Sequence, residues 1–251
     1  MMSMRMAALA VALLAAGTAV ARDVPDPIPF ADEDAKYTAR RGAMVKEVAA
    51  TGYPLSDAVL KAIAAVPRHL YVPKGEREEG YENRNMGIGW GQTITNPFMV
   101  AKMTELLKLA PTDKVLEVGT GSGYHASVMS QITPNVFTIE IVKPLAERTH
   151  DLLRSIKYDQ RVKFTIGDGY YGWKENGPYD KIVVTCGADH IPLPLIQQLK
   201  PGGIMIIPVG PPFQRQKVYM VEKTDAGDVK KKVVGTGDFV RLTRAPGEPQ
   251  P

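Results

Sequence analysis

Between residues 97 and 210 short apolar runs alternate with longer stretches of helical period, and that alternation limits the fold more than any other feature of the chain. Strand signals fall over residues 114–118, 135–139, 162–166, 181–185 and 204–208, and helical ones over 98–109, 124–132, 144–156 and 194–199. Short strands separated by helices cannot pair as hairpins. Each needs a crossover to reach its neighbour, which makes the sheet parallel and covers its faces with helices. Two further runs, 217–222 and 229–234, flank Asp225-Ala226-Gly227 and read as an antiparallel hairpin. The pattern predicts an α/β fold: a mostly parallel sheet with helices on both faces and a C-terminal antiparallel hairpin.

The flanking segments set the boundaries. Residues 1–21 carry one positive charge at Arg5, an apolar run from Met6 to Ala16, and Ala19-Val20-Ala21 ahead of Arg22. This is the pattern of a secretory signal peptide, so the chain is expected to be exported and periplasmic. The run falls short of the roughly 20 residues that span a membrane. Membrane contact is expected only if the segment stays uncleaved, and a cytoplasmic location only if the start is misassigned. Residues 22–34, with Pro25, Pro27 and Pro29, read as an extended leader. A single domain is expected over 35–244, divided into N-terminal helices and a substrate loop (35–97), a core (98–210) and C-terminal strands (211–244), with a loose tail over 245–251. Ser56 caps the second N-terminal helix. The glycine-rich loop over 68–97 is long enough to suggest a function rather than a mere connection.

Composition removes several classes. One cysteine, Cys186, allows no internal disulfide, and His69, His125, His150 and His190 are scattered without metal-ligand spacing, so no metal is expected. Lys and Arg total 31 against 27 Asp and Glu, interspersed rather than massed, which is too mild a balance for nucleic acid. Lys230-Lys231-Lys232 reads as an exposed face. Oligomeric state is not legible.

The residues with chemical content sit at the predicted strand ends. Glu117-Val118-Gly119-Thr120-Gly121-Ser122-Gly123 joins the strand over 114–118 to the helix over 124–132. Glycines there let the backbone turn tightly and approach a ligand unobstructed, although a plain turn uses them too. Glu140, 21 positions beyond Gly119, closes the next strand near the spacing of about 20 at which a carboxylate accepts from a ribose. Asp168, beside Gly169, follows the third strand and is expected to accept from an adenine amino group. The glycines stand as G-x-G-x-G with Glu117 before them, and an acid there repels a pyrophosphate but accepts from the ammonium of an amino-acid moiety. This points to S-adenosyl-L-methionine, bound by Glu117, Gly119, Thr120, Gly121, Ser122, Gly123, Glu140, Asp168 and Gly169. A valine at Gly121 is expected to abolish that binding.

Further segments carry a family resemblance. Val66-Pro67-Arg68-His69-Leu70-Tyr71-Val72-Pro73, Gly91-Gln92-Thr93-Ile94, the glycine turn extended by Tyr124, Gly167-Asp168-Gly169-Tyr170, and Leu199-Lys200-Pro201-Gly202-Gly203 followed by Ile207-Pro208-Val209-Gly210 resemble the protein-L-isoaspartate O-methyltransferases, over roughly residues 35–222. The resemblance implies a Rossmann-like methyltransferase fold that methylates the free carboxylate of L-isoaspartyl residues in damaged proteins, a repair reaction with isoaspartyl proteins or peptides as partners. Family members usually read Gly-Gln-Thr-Ile-Ser, and Thr95 stands where the serine associated with the active site would be. Threonine keeps the hydroxyl while its methyl restricts χ1. Thr95 is the candidate catalytic residue.

An isoaspartyl carboxylate has a pKa near 4 and is already a nucleophile at neutral pH, so no general base is required. The work is to align carboxylate oxygen, methyl carbon and sulfur. Cys186, at the end of an apolar strand with no base beside it, reads as a buried small residue. Two other readings stay open: the same cofactor with a different carboxylate or hydroxyl acceptor, and a nucleoside-binding homologue without catalysis.

Overall fold

The computed structural model describes residues 35–211 and 214–247. The signal-peptide and leader readings lie outside the described residues, as does the tail beyond residue 247.

Helices α1 (Ala35–Ala49), α2 (Asp57–Ala65) and α3 (Pro97–Leu107) precede the main sheet. Ser56 caps α2, its side chain accepting from the Val59 amide. Asn96 caps α3 through a 2.8 Å bond from the Met99 amide, with Pro97 at a position where its missing N–H costs nothing. The loop over 68–97 contains structure that the sequence pattern did not reveal. Strands β1 (Met86–Gly89) and β2 (Gln92–Ile94) form an antiparallel hairpin closed by Trp90 and Gly91, whose φ angles are 51° and 72°. Two consecutive positive φ values are what a two-residue hairpin turn demands, and tryptophan rarely supplies one.

From there the chain alternates as its periodicity predicts: β3 (Val115–Val118), α4 (Tyr124–Met129), β4 (Val136–Glu140), α5 (Lys143–Ser155), β5 (Val162–Ile166), β6 (Tyr179–Val184), α6 (Leu193–Gln198), β7 (Leu199–Val209), β8 (Gln216–Lys223) and β9 (Val229–Gly237). Among the described residues the main sheet has seven strands in the order β5-β4-β3-β6-β7-β8-β9. The first five are parallel, and β8 and β9 run antiparallel as the C-terminal hairpin. β9 is an edge strand, exposed from Val229 to Val233 across the three lysines. The chain moves outward from β3 to β4 and β5, then returns to β6 on the other side of β3. That reversal opens a crevice at the carboxyl ends of the central strands.

The two faces are covered unequally. Val115, Val136, Val162, Val183 and Ile206 pack in one core with side chains of α1 to α5. Leu116, Val118, Phe137, Ile182 and Met205 pack on the other face with Leu195 of α6, Trp173 and Leu242. In the loop between β5 and β6, short 3-10 turns at Gly169–Tyr171 and Lys174–Asn176 replace a crossover helix. Arg68, fully buried, places its guanidinium 4.6 Å from the Tyr124 ring centroid and donates to the Gly80 carbonyl at 2.8 Å. The segment ahead of α3 is thereby tied to the first turn of α4.

Candidate active site

The glycine turn sits over the crevice and is fastened on several sides. The Gly119 and Thr120 amides donate to the Ile139 carbonyl at 3.0 and 3.2 Å, drawing the turn over the end of β4. The Thr185 hydroxyl donates to the Gly119 carbonyl and the Thr149 hydroxyl to that of Gly121. Gly119 and Gly121 have φ of +93° and +53°. A side chain at Gly119 would also put its Cβ 2.6 Å from Thr185 Oγ1, so this position is closed to substitution on two counts.

Glu140 is held almost entirely by backbone. One carboxylate oxygen accepts from the Gly121 amide at 2.8 Å, the other from the Ile141 and Val142 amides, each at 2.9 Å. The acid therefore splices the glycine turn to the start of α5 while lining the crevice. Glu117 is different. Fully buried near the end of β3, it accepts a 2.5 Å bond from the Thr138 hydroxyl at one oxygen, and its Oε1 has no partner. Because the Thr138 proton goes to Glu117, the Thr120 hydroxyl donates to Thr138 across 2.7 Å. Burial raises the Glu117 pKa to about 8, and the charge of Glu140 adds to the rise. The Thr138 hydroxyl and the nearby Ala126 amide oppose that shift without satisfying Oε1.

One cleft takes in Thr95, Glu117, Gly119, Thr120, Gly121, Ser122, Glu140 and Gly169. Two expected contacts fall outside it. Gly123 is the N-cap of α4 with φ +84°, and a Cβ there would meet Thr149 Cγ2 at 2.9 Å, so its glycine is required by the packing of α4 on α5. Asp168 is bonded to the C-terminal segment. Its Oδ2 accepts from Arg244 Nε at 2.9 Å and from the Ala245 amide at 3.0 Å, and its Oδ1 accepts from the Tyr170 amide at 3.0 Å. These bonds make the acid an anchor for the C-terminal segment and leave one acceptor site on Oδ1. The same bonds pin Ala245, which the sequence assigned to a loose tail.

That segment is the main feature the sequence missed. Val240, Arg241, Leu242 and Thr243 form a wall of the cleft, held by Gly187, which donates to the Val240 carbonyl at 2.7 Å and accepts from the Leu242 amide at 2.8 Å. Arg244 spreads over the Tyr170 ring, 3.7 Å from its centroid. No motif marks these residues, since their partners lie far away in sequence. The β1–β2 hairpin forms a further wall through Gln92, Thr93 and Ile94, and leads directly to Thr95. Arg148 of α5 secures it by donating to the Ile88 carbonyl at 2.8 Å and covering the half-exposed Trp90 at 5.1 Å. Cys186 lines the cleft but is buried, and desolvation pushes its thiol well up, which makes it a poor nucleophile. Among the described residues no group of three His, Cys, Asp or Glu side chains could hold a metal ion.

The chemistry on offer is positional. Two carboxylates and a cradle of glycine backbone stand along one part of the cleft, with a hydroxyl at Thr95 along another. An unpartnered, fully buried carboxylate oxygen suits a ligand that brings its own cationic donor, as the amino-acid half of S-adenosyl-L-methionine does.

Comparison with known proteins gives the family. A family model described as protein-L-isoaspartate(D-aspartate) O-methyltransferase matches residues 39–246. The chain is 49% identical over 210 residues to a protein-L-isoaspartate O-methyltransferase 1 of Nitrosospira multiformis, covering 83% of this chain and 89% of that one. It is 46% identical over 219 residues to a protein-L-isoaspartate O-methyltransferase 2 of Syntrophobacter fumaroxidans, covering 84% and 88%. A solved protein-L-isoaspartate O-methyltransferase superposes with a TM-score of 0.71 at 28% identity, over 81% of this chain and 66% of that one. A Plasmodium falciparum structure, described as a relative of this type in complex with S-adenosyl-L-homocysteine, shares the fold with a TM-score of 0.70 at 24% identity, over 82% of this chain and 99% of that one.

Proposed function

The chain belongs to the protein-L-isoaspartate(D-aspartate) O-methyltransferase family, and on that premise we propose how its own residues perform the reaction. The activity is S-adenosyl-L-methionine-dependent methylation of the free carboxylate of L-isoaspartyl residues, a protein-repair step. The cofactor supplies an electrophilic methyl group on a sulfonium. The observation that carries the residue assignment is the buried, unpartnered oxygen of Glu117 beside the glycine turn.

In this reading Glu117 accepts from the ligand's ammonium. Gly119, Thr120, Gly121 and Ser122 give the backbone surface along which the ligand lies. Glu140 keeps one acceptor site, on the oxygen that takes the Gly121 amide, for a ribose hydroxyl while its amide bonds hold it still, and Gly169 leaves room at the third strand end. Thr95 donates to the acceptor carboxylate. No residue needs to remove a proton, because a carboxylate with a pKa near 4 is ionised at neutral pH. The hairpin and the segment Val240–Thr243 exclude water from the site they wall in.

The Thr95 assignment is tested with labelled cofactor and one peptide in isoaspartyl and normal aspartyl forms. The native protein labels only the isoaspartyl form. Thr95→Val, which keeps the shape and removes the hydroxyl, lowers kcat/KM by about 10- to 100-fold, the value of a hydrogen bond to a charged group, with S-adenosyl-L-homocysteine affinity unchanged. Thr95→Ser retains activity. Full activity in Thr95→Val excludes this role.

The Glu117 assignment predicts a pH dependence. With a pKa raised to about 8, the group is protonated at pH 6 and must lose its proton before it can accept from an ammonium. Affinity for S-adenosyl-L-homocysteine therefore rises by roughly tenfold per pH unit from pH 6 and levels off near 8. Glu117→Gln, which does not titrate, flattens the profile. A flat profile in the native protein removes Glu117 from the binding role.

Export belongs to the same proposal. Residues 1–21 have the charge, apolar run and small-x-small ending of a cleaved signal, which supports a periplasmic enzyme whose mature chain begins at Arg22. N-terminal mass analysis of the chain from fractionated cells tests it, and a cytosolic chain that retains Met1 refutes it.

A further inference from the structure

His125, in the first turn of α4, lines the cleft and is fully buried, and its ring bonds leave one nitrogen with a defined task. The Thr104 hydroxyl donates to the Val100 carbonyl at 2.8 Å, the usual back-bond of a helical threonine. Its only proton is thereby used, so across the 3.0 Å contact with His125 Nε2 it accepts. The ring is therefore the Nε2–H tautomer, and Nδ1 carries a bare lone pair. Nδ1 is buried and has no hydrogen-bond partner. Desolvation lowers the His125 pKa to about 3, so the lone pair stays available throughout the neutral range.

His125 Nδ1 and Glu117 Oε1, which accepts once Glu117 has lost its proton, thus stand buried and unpartnered in residues that line one cleft. A ligand group that satisfies both must bring at least two N–H donors, and an ammonium has three. Resting on the cofactor reading above, we propose that His125 accepts a hydrogen bond from the α-ammonium of S-adenosyl-L-methionine through Nδ1, so that Glu117 and His125 together select the amino-acid half of the ligand. Thr104 is the positioning residue that holds the tautomer.

The test compares S-adenosyl-L-homocysteine with an analogue whose α-amino group is replaced by hydrogen, by calorimetry on the mature chain. The variants are His125→Gln and His125→Asn. Glutamine places its amide N–H near the Nε2 position, keeping the bond to Thr104 and losing the Nδ1 acceptor. Asparagine keeps an acceptor near Nδ1 and loses the bond to Thr104. The expected result is that His125→Gln weakens S-adenosyl-L-homocysteine by about tenfold or more and leaves the deaminated analogue unchanged, while His125→Asn binds the two ligands in the native ratio. Equal losses for both ligands in His125→Gln, no loss for either, or a greater amino-group selectivity defect in His125→Asn than in His125→Gln would each overturn the proposal. A native chain that binds neither ligand overturns the cofactor reading itself. A native chain that binds both, with His125→Gln behaving like it, overturns only the role of His125.

Discussion

Gly119→Ala loses affinity for S-adenosyl-L-homocysteine by on the order of 100-fold, which is the scale of backbone strain of up to about 3 kcal/mol added to a steric conflict. The methyl group at this position meets Thr185 Oγ1 at 2.6 Å, and Thr185 is the side chain whose hydroxyl holds the Gly119 carbonyl. Neither can move without releasing the turn. A φ of +93° lies beyond the small left-handed region that other residues reach, so the strain persists even if Thr185 rotates. Gly121 supplies the internal comparison. Its φ is +53°, and a Cβ there stands 3.7 Å from Ile88 Cδ1, an ordinary contact. Gly121→Ala is therefore mild, whereas the two branches of Gly121→Val press on the hairpin at Ile88 and Thr93 and remove binding. Calorimetry on variants with native far-UV circular dichroism gives the ranking, and a Gly119→Ala variant that binds normally breaks the argument.

Arg244→Ala is the second large effect. Arg244 and Asp168 are both covered, with 4% and 8% of their side chains exposed, so removing one leaves a carboxylate with little access to water. Breaking a covered pair at about 3 kcal/mol corresponds to a fall in Tm of roughly 6–12 °C for a domain of this size. The loss extends to the site, because Arg244 directly follows the segment that walls the cleft, and affinity for the cofactor falls with Tm. A compensating change identifies the cause. Asp168→Asn in an Arg244→Met background removes both charges, keeps an acceptor for one of the Tyr170 and Ala245 amides, and recovers part of the lost stability. A Tm unchanged in Arg244→Ala shows that the backbone bonds to Gly187 and the bond from the Ala245 amide to Asp168 suffice to hold the segment.

These effects also mark which parts of the molecule could be read from its sequence. The β3–turn–α4 unit and the strands beside it were legible because their signals are local: apolar runs, glycines at fixed offsets, an acid at the end of each strand. Glu117, Glu140 and the glycine turn line one cleft because that local pattern brings them to neighbouring strand ends. The hairpin is not legible because its turn depends on Trp90 adopting a φ of 51°, a conformation its residue type argues against. The motif gives no hint of the structural tasks that Gly123 and Asp168 carry: Gly123 fits between two helices, and Asp168 holds Arg244, 76 positions away. A carboxylate's partner cannot be read from its own neighbourhood when it arrives from the far end of the chain. The wall at Val240–Thr243 escaped for the same reason.

The exposed edge at β9 bears on how copies of the chain tolerate one another at high concentration. A terminal strand offers unpaired backbone groups to any other strand, and a mixed sheet closed by neither barrel nor helix is open to growth there. Lys230, Lys231 and Lys232 lie along this edge, in the exposed part of β9. Two such edges brought together would oppose like charges in close register, so self-association through β9 is disfavoured at neutral pH and low salt. The repulsion weakens as ionic strength shortens the screening length. The lysine run, silent in the chemistry of the cleft, acts as a colloidal safeguard for the fold that carries it.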